Sequence, residues 1–377
     1  MRFPGFSGEW ASRRIGEDCT VNMCKRIFAN QTSEQGDVPF FKIGTIGGTP
    51  DAYITRDLFE EYKAKYNYPH EGEVMITCAG TVGKTIVFDG EDAYFQDSNI
   101  VWLSNPKQLY INSFLNYVLS RVNWNILNST TITRIYNDNL RELVINYPSI
   151  KEQEKIVALL SLLDRRIAIQ NKVIEDLKKL KTALEERMLG QCQGKQVRLR
   201  DILIERVEKS RINNQYEVLS STVSGIYSQR EYFNKEIASA DNTGYKTIHR
   251  GDVVLSPQNL WMGNINYNDR FEIGIVSPSY KVFSIDEKFD KGYIAFLLKT
   301  RKALWAYSLV SEQGASIVRR NLNYESFLEI SFVIPSLKEQ QATARRLSAF
   351  KQKQTMEEAF LRSLLLQKEF MLKTLFI

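Results

Sequence analysis

The chain has 377 residues and a net charge of +6, with four cysteines and two histidines. This length predicts two or more domains, each large enough for its own core. The cysteines lack the paired two-residue spacing of a zinc site, so we expect neither a metal site nor a disulfide framework. The absence of a long apolar run and of a signal peptide predicts a cytoplasmic protein that does not contact a membrane.

The first predicted elements are short strands joined by polar loops. Residues 70–74 read as a turn, and the apolar residues that follow read as a buried strand over 74–77. Polar loops follow at Gly83-Lys84, at Asp97-Ser98 and over residues 128–134, where Asn, Ser, Thr and Arg side chains cluster. These residues predict a buried strand followed by polar loops.

A long helix is predicted after this first module. The phrase Pro-Ser-Ile-Lys-Glu-Gln at 148–153 supplies a serine cap and places Glu152 at the third position of a capping box. Apolar residues then recur at Ile156, Leu160, Leu163, Ile167, Ile174, Leu177, Leu184 and Met188. Steps of three and four are typical of a coiled-coil seam, and the polar interruptions Gln170 and Lys181 would fix its register. About 40 residues at 1.5 Å each make a helix of roughly 60 Å.

The second half of the chain repeats the first. Its counterpart of the turn lies at residues 249–253, and Gly263-Asn264 corresponds to Gly83-Lys84. The end of the module also matches, because Ile330, Phe332 and Pro335 correspond to residues 143, 145 and 148. Between these anchors most polar loop residues differ. The sequence therefore predicts a duplicated domain with one scaffold and two sets of loops, which we interpret as two recognition surfaces.

A second long helix is predicted after the second module. The phrase Pro-Ser-Leu-Lys-Glu-Gln at 335–340 opens it, again with a serine and a glutamate at capping-box spacing. Polar interruptions occur here at Gln354, Glu357 and Lys368. The residues predicted to form the seam of the two helices are Leu160, Leu163, Ile174, Leu177, Leu184, Leu347, Phe350, Leu361, Leu364 and Met371. Both helices carry the same 3.5-residue pattern, which favours pairing between them.

The sequence resembles one family along essentially its whole length: the specificity subunit of type I restriction–modification systems. The opening Arg-Phe-Pro-Gly-Phe at residues 2–6, Glu9-Trp10 and Arg-Ile-Gly-Glu at 14–17 carry the resemblance. The two phrases at 148–153 and 335–340 carry it further, because the same helix opening appears twice, half a chain length apart.

The resemblance implies an α+β fold with two tandem mixed α/β target recognition domains. Two long antiparallel helices that form a coiled coil would join and separate these domains. The implied boundaries are 1–147 and 195–334 for the recognition domains, and 148–192 and 335–377 for the helical spacers.

The resemblance also implies a function. Each recognition domain would read one half of an asymmetric, bipartite site on double-stranded DNA, and helix length would set the gap between the halves. The helices would dock two modification (methyltransferase) subunits, which restriction subunits join. The chain itself would be non-catalytic and bind no cofactor, with S-adenosylmethionine, ATP and magnesium on the partner subunits.

The candidate DNA contacts are polar and basic side chains of the variable loops, since such groups bind phosphates and base edges. In the first module they are Lys42, Thr45, Lys84, Gln96, Asn99, Thr131 and Arg134. In the second module they are Ser221, Gln229, Arg230, Gln258, Asn259, Asn264, Gln313, Ser316, Arg319 and Arg320.

Two alternatives remain open from the residues alone. The chain could be a coiled-coil scaffold that does not read DNA, although the divergent, donor-rich loops argue against this. It could also be a nuclease in which Asp51, Glu61 and Lys63 hold magnesium and a water. The nuclease reading is weak because the second half has no counterpart of these residues. The adenine-methylating Asn/Asp-Pro-Pro-aromatic motif is missing, and no nucleophile–histidine arrangement is present.

Overall fold

The computed structural model describes residues 2–124, 134–233, 241–313 and 319–376. It divides into two compact units: unit 1 consists of Met1–Gln170 with Phe360–Ile377, and unit 2 of Asn171–Ala359. Each unit contains one globular module and a part of both long helices. The boundaries predicted at 147/148 and 334/335 treat the helices as separate spacers, and they stay predictions. Among the described helices, none is long and apolar enough to cross a membrane.

Unit 1 is built from short strands and short helices. Its strands are β1 (Ala11–Arg14), β2 (Thr20–Met23), β3 (Val38–Phe41), β4 (Tyr53–Ile54), β5 (Val74–Thr77), β6 (Thr85–Val87), β7 (Tyr94–Phe95), β8 (Ile100–Ser104) and β9 (Val144–Tyr147). Its helices are α1 (Ile15–Asp18), α2 (Arg56–Lys65), α3 (Asn112–Ser120) and α4 (Asn137–Glu142), with a 3₁₀ turn at Ala29–Gln31 and the start of α5 (Ile150–Gly190).

The centre of unit 1 is a four-stranded sheet in the order β2-β8-β5-β6. Successive side chains of a strand point to opposite faces, and both faces of this sheet are covered. Val74 and Leu103 belong to one apolar cluster, whereas Met75 and Trp102 belong to another on the opposite face. Burial on both faces explains why β5 reads as a continuous apolar run.

Unit 2 is built from a similar series. Its strands are β10 (Lys195–Arg198), β11 (Leu203–Glu205), β12 (Leu219–Ser221), β13 (Ile226–Ser228), β14 (Lys246–His249), β15 (Val253–Leu255), β16 (Ile265–Tyr267), β17 (Ile273–Val276), β18 (Lys281–Ile285), β19 (Ser311–Gln313), β20 (Arg320–Leu322) and β21 (Ser331–Ile334). Its helices are α6 (Leu199–Ile202), α7 (Gln229–Phe233), α8 (Lys291–Leu297), α9 (Arg301–Leu309), α10 (Tyr324–Glu329) and the start of α11 (Leu337–Leu375), with a 3₁₀ helix at Pro257–Met262.

The two units share the topology of their central sheet and the pairing of their first and last strands. The central sheet of unit 2 has the order β11-β18-β15-β16, which repeats β2-β8-β5-β6 element by element. In each unit the first strand pairs antiparallel with the last, β1 with β9 and β10 with β21. The predicted fold class, with two tandem mixed α/β modules and two long helices, is therefore confirmed.

The turn before the central strand is also repeated in detail. The backbone N–H of His70 donates to Glu73 Oε2 at 2.8 Å, and that of His249 donates to Asp252 Oδ2 at 2.8 Å. Residues 70–74 and 249–253 therefore correspond as predicted, and the same hydrogen bond forms in both turns.

The long helices bury the predicted seam. Leu160, Leu163, Ile174, Leu347 and Leu364 are buried. Leu177, Leu184, Phe350, Leu361 and Met371 are half-buried, and so are the polar residues Lys181, Gln354, Glu357 and Lys368 at seam positions. The seam keeps its 3.5-residue spacing through every polar interruption, which is the behaviour expected of a coiled-coil helix.

Each unit contains its own antiparallel helix pair. In unit 1, Leu160 near the start of α5 belongs to one cluster with Leu375 near the end of α11, and Asp164 pairs with Lys368. In unit 2 the order is the same, because Lys178 pairs with Glu358 at 3.9 Å while Leu189 shares a cluster with Leu347. Residue numbers therefore rise along one helix as they fall along the other.

The predicted capping box forms on one helix only. At α11, Glu339 Oε2 accepts from Ser336 N at 3.1 Å, and Ser336 Oγ accepts from Glu339 N at 3.4 Å. At α5, Glu152 instead pairs with Arg2 at 2.9 Å and accepts from the backbone N–H of Phe3 at 3.3 Å. The prediction of a capping box at Glu152 is wrong, because the Glu152 carboxylate pairs with Arg2, which is far away in sequence.

Candidate nucleic-acid interface

The loop after the central strand starts and ends at equivalent points in the two units. The backbone N–H of Thr77 donates to the carbonyl of Lys84 at 3.0 Å, and that of Ser256 donates to the carbonyl of Asn264 at 2.9 Å. Between these anchors unit 1 has residues 78–83, whereas unit 2 has the 3₁₀ helix Pro257–Met262. The same scaffold thus presents two loops of different shape.

Each loop ends in a glycine that packs closely against a neighbouring side chain. Gly83 and Gly263 lie in the left-handed region, at φ +82° and +89°. A Cβ at Gly83 would lie 2.1 Å from Trp124, and a Cβ at Gly263 would lie 2.8 Å from Leu304. Only glycine fits both the dihedral angle and the space at these two positions. The two glycines therefore allow the loops to pack closely against Trp124 and Leu304.

Unit 1 gathers several predicted contacts around a pocket of about 300 Å³. Lys42, Gln96 and Asn99 line it together with the exposed aromatic ring of Phe28. Lys42 Nζ pairs with Asp51 at 2.9 Å. Cations, amides and an aromatic ring converge here, which is a set of groups that can bind a nucleotide.

Thr45, Lys84 and Arg134 support this region through backbone contacts. Thr45 Oγ1 accepts from the N–H of Lys42 at 3.0 Å, and Lys84 Nζ donates to the carbonyl of Ile46. Arg134 donates to Ser98 Oγ at 3.2 Å. Their polar atoms shape the loops, and Lys84 remains exposed beside them. Thr131 and, in the other module, Ser316 lie outside the described residues.

Two predicted contacts in unit 2 are buried. Ser221 Oγ donates to Asn264 Oδ1 at 2.7 Å and accepts from Asn266 Nδ2 at 2.7 Å. Ser221 and Asn264 are 3% and 4% exposed. A buried polar network uses the hydrogen-bonding groups of these two side chains, and their contact with DNA stays a prediction.

The other predicted contacts of unit 2 lie on the surface around the 3₁₀ helix and the β19–β20 hairpin. The guanidinium of Arg320 lies 4.1 Å from the ring centroid of Trp261, and Arg320 faces Gln313 across the hairpin. Gln258 is exposed on the 3₁₀ helix and Asn259 follows it. The structure therefore brings together residues that the sequence placed in two separate loops.

Gln229, Arg230 and Arg319 complete the set. Gln229 Nε2 donates to Ser220 Oγ at 3.1 Å, so this side chain braces the β12–β13 hairpin. Arg230 and Arg319 are both exposed. These positions leave the two arginines accessible to a polyanion.

Sequence reasoning missed Lys299. Its Nζ donates to the carbonyls of Gly263 at 2.8 Å and Val223 at 3.1 Å, so it joins the 3₁₀ helix to the turn after β12. Burial lowers the pKa of Lys299 to about 8. No signal in the sequence distinguishes this lysine from those on the surface, because its role depends on two loops that only the fold brings together.

The nuclease alternative receives no geometric support. Asp51 pairs with Lys42, whereas Lys63 pairs with Asp92 at 3.2 Å. Glu61 is exposed on α2. A carboxylate–lysine site needs these three groups to converge on one ion. Asp51 and Lys63 are instead engaged with other charged side chains.

The buried thiols are not poised for catalysis. Burial raises the pKa of Cys19, Cys24 and Cys78 to about 12 in each case. The thiolate is the nucleophilic form of cysteine, so these side chains stay protonated and act as small apolar groups in the core.

Comparison with known proteins finds relatives by sequence and by fold. Residues 7–179 match the sequence model of the type I restriction modification DNA specificity domain. Over 163 residues the chain is 48% identical to a putative type I restriction enzyme specificity subunit of Haemophilus influenzae. That alignment covers 43% of this chain and 42% of the relative, so the match spans less than half of the relative's length.

Two solved structures share the fold over nearly the whole chain. One is the S subunit of a type I restriction-modification system from M. genitalium, with a TM-score of 0.62 and 18% identity, covering 100% of this chain and 99% of that one. The other comes from a study of assembly and conformational transition of the type I R-M system, with a TM-score of 0.56, 12% identity and 97% coverage of each chain. The predicted resemblance to specificity subunits is confirmed.

Proposed function

We propose that this chain is the DNA specificity subunit of a type I restriction–modification enzyme. In this proposal each unit reads one half of an asymmetric, bipartite site on double-stranded DNA. The observation that carries it is the repeated sheet order with different loops at equivalent anchors. The family match covers residues 7–179, and the repeated topology supports extending the same role to unit 2.

The divergence of the two loop sets supports an asymmetric site. A symmetric dimer would offer two identical surfaces to a palindrome. Here unit 1 offers a pocket with Lys42, Gln96 and Asn99, whereas unit 2 offers Arg320 stacked on Trp261. Different donors and acceptors read different base edges, so we expect two unrelated half-sites.

Partner docking is supported by apolar side chains that the helix pairs leave exposed. In unit 1, Leu162 and Ile169 on α5 are 54% and 64% exposed, and Leu366 and Phe370 on α11 are 66% and 56% exposed. Such side chains outside a seam favour contact with another protein. We propose that two modification subunits bind these helices and that restriction subunits join them.

The chemistry in this proposal belongs to the partners. The modification subunits would use S-adenosylmethionine to methylate adenine, and the restriction subunits would use ATP and magnesium. This chain would contribute DNA binding, half-site spacing and assembly without a catalytic residue of its own. We place the assembled enzyme in the cytoplasm, where the host DNA lies.

The test is a map of methylated adenines in the host genome, with and without the gene for this chain. Deletion should remove one bipartite motif and leave all other methylation in place. The lost motif would give both half-sites and the gap at once. If deletion removes no methylated motif, the specificity function is contradicted and the scaffold reading gains support.

A further inference from the structure

We infer that Arg320, stacked on Trp261, is the residue with which unit 2 reads a guanine. The inference rests on the proposed function and names one specificity-determining residue within it.

The first support is that the side chain is already held in place. The guanidinium carbon of Arg320 lies 4.1 Å from the ring centroid of Trp261, within the range of a cation–π contact. Arginine is a long side chain that loses much rotamer freedom when it is fixed, and a planar stack fixes it before DNA arrives. The strand pairing of Arg320 with Gln313 fixes the backbone as well.

The second support is that Arg320 has an aromatic partner. Several arginines of unit 2 pair with carboxylates: Arg198 and Arg200 with Glu329, Arg206 with Asp252, Arg250 with Glu272 and Arg270 with Glu231. Arg320 faces an indole ring instead, and within the described residues its Nε–H has no hydrogen-bond acceptor. Among the described residues its guanidinium therefore faces an aromatic ring rather than a carboxylate.

The third support is a second buried polar atom without a partner in the described part of the chain, on the 3₁₀ helix that carries Trp261. Asn259 lies two residues before Trp261 on the 3₁₀ helix, and among the described residues its Oδ1 has no hydrogen-bond donor. Buried polar atoms normally find partners, and exceptions call for an explanation. Arg320 Nε and Asn259 Oδ1 are thus two buried polar atoms without a partner among the described residues, one on β20 and one on the 3₁₀ helix that carries Trp261.

The chemistry selects guanine. A planar guanidinium can donate two parallel hydrogen bonds to O6 and N7 of guanine in the major groove, which is the commonest specific contact of arginine. A phosphate contact carries no base preference, so its loss weakens binding to all sequences about equally. Loss of preference at one base position therefore separates base reading from phosphate binding.

The experiment uses the complete chain in its host, with the methylated motif mapped for wild type, R320K, R320A and R250A. The wild-type motif should contain a guanine at one fixed position of one half-site. R320K and R320A should each lower the preference for that guanine by about 10-fold to 100-fold, and leave the other half-site unchanged. R250A is the matched control, because Arg250 precedes β15 whereas the 3₁₀ helix follows it, and Arg250 already pairs with Glu272.

Each outcome decides the inference. A motif that R320A leaves unchanged at that position would overturn the inference, while the specificity function would stand. If deletion of the chain itself removes no motif, the proposed function fails first. Thermal melting of the purified variants checks folding, and if R320A melts early, W261F takes its place. W261F should weaken preference at the same base position, and an effect on the other half-site would overturn the inference.

Discussion

The two helix openings carry nearly the same six residues, yet the structure uses them in two ways. The glutamines behave alike: Gln153 Nε2 donates to the carbonyl of Pro148 at 3.0 Å, and Gln340 Nε2 donates to that of Pro335 at 2.9 Å. Their Oε1 atoms accept from the backbone N–H groups of Ile111 and Asp290, at 2.8 and 2.9 Å. Each glutamine therefore ties its long helix to the segment before a short helix of its own module.

The glutamates behave differently. Glu339 caps its own helix in an exposed setting, whereas Glu152 is buried and pairs with Arg2. The side chain of Arg2 also lies 6.0 Å from the ring centroid of Trp10. The glutamine contacts lie within each module and occur in both copies. The Arg2–Glu152 pair involves the amino-terminal segment and occurs in the first copy only. The difference shows that tertiary context, rather than the local phrase, decides what a residue does.

The largest effect is expected from breaking the Arg2–Glu152 pair. Glu152→Ala leaves the partly buried guanidinium of Arg2 without its carboxylate, and we expect the free energy of unfolding of unit 1 to fall by about 3–5 kcal/mol. The matched change Glu339→Ala removes only an exposed cap and should cost about 1 kcal/mol. Denaturant unfolding, with hydrogen exchange to assign each unit, measures both. Equal losses for the two variants would contradict the comparison.

A second difference lies at the last residue of the short helix after the first strand. Asp18 in α1 is buried and accepts hydrogen bonds from Tyr110 at 2.8 Å, Arg13 at 2.9 Å and Lys107 at 3.2 Å. Its counterpart in α6 is Ile202, which is fully buried. Asp18→Asn should destabilise unit 1 by about 2 kcal/mol at neutral pH, because it weakens bonds to a charged acceptor.

This effect should depend on pH with a definite sign. Burial by itself raises the pKa of Asp18, but the hydrogen bonds from Tyr110, Lys107 and Arg13 outweigh it and lower the pKa. A lowered folded-state pKa contributes stability above the unfolded value of about 3.9, and that contribution is lost as the pH falls through the folded value. The stability gap between wild type and Asp18→Asn should therefore shrink below about pH 4. A gap that widens in acid would exclude this assignment.

The smallest difference is expected where the two modules agree. Gln153→Ala and Gln340→Ala each leave a buried carbonyl and a backbone N–H without a partner, at a cost of about 1–3 kcal/mol. Both glutamines make this pair of bonds, but Gln153 Nε2 also donates to the carbonyl of Leu109 at 3.0 Å. The loss at Gln153 should therefore exceed the loss at Gln340, by no more than about 1.5 kcal/mol. Unfolding of the single variants and of the double variant tests this, and the double loss should be additive. A larger loss for Gln340 would show that the modules are less alike than their bonds suggest.

Much of this fold can be predicted from the sequence, because its repeats are local. The 3.5-residue spacing from Leu160 to Leu184 predicts the seam, and the phrase around Gly72 predicts the turn that Glu73 closes. The correspondence of Lys84 with Asn264 also holds at the backbone.

The rest depends on contacts between distant residues. Ser221 is buried because Asn264 and Asn266, more than 40 positions away, bond to it. Lys299 acquires its role from two loops that do not neighbour it in the chain. A polar residue in a loop reads the same in sequence whether its partner is protein or DNA, so the candidate contacts could only be sorted in the fold.

The central claim is that two copies of one scaffold read two different half-sites. It is tested most directly by mapping methylated adenines in two strains, one with Asn99→Ala in the unit 1 pocket and one with Arg320→Ala in unit 2. We predict that each change relaxes base preference in one half-site only, and that the two changes affect opposite halves. A variant that alters both half-sites, or two variants that alter the same half, would contradict the account.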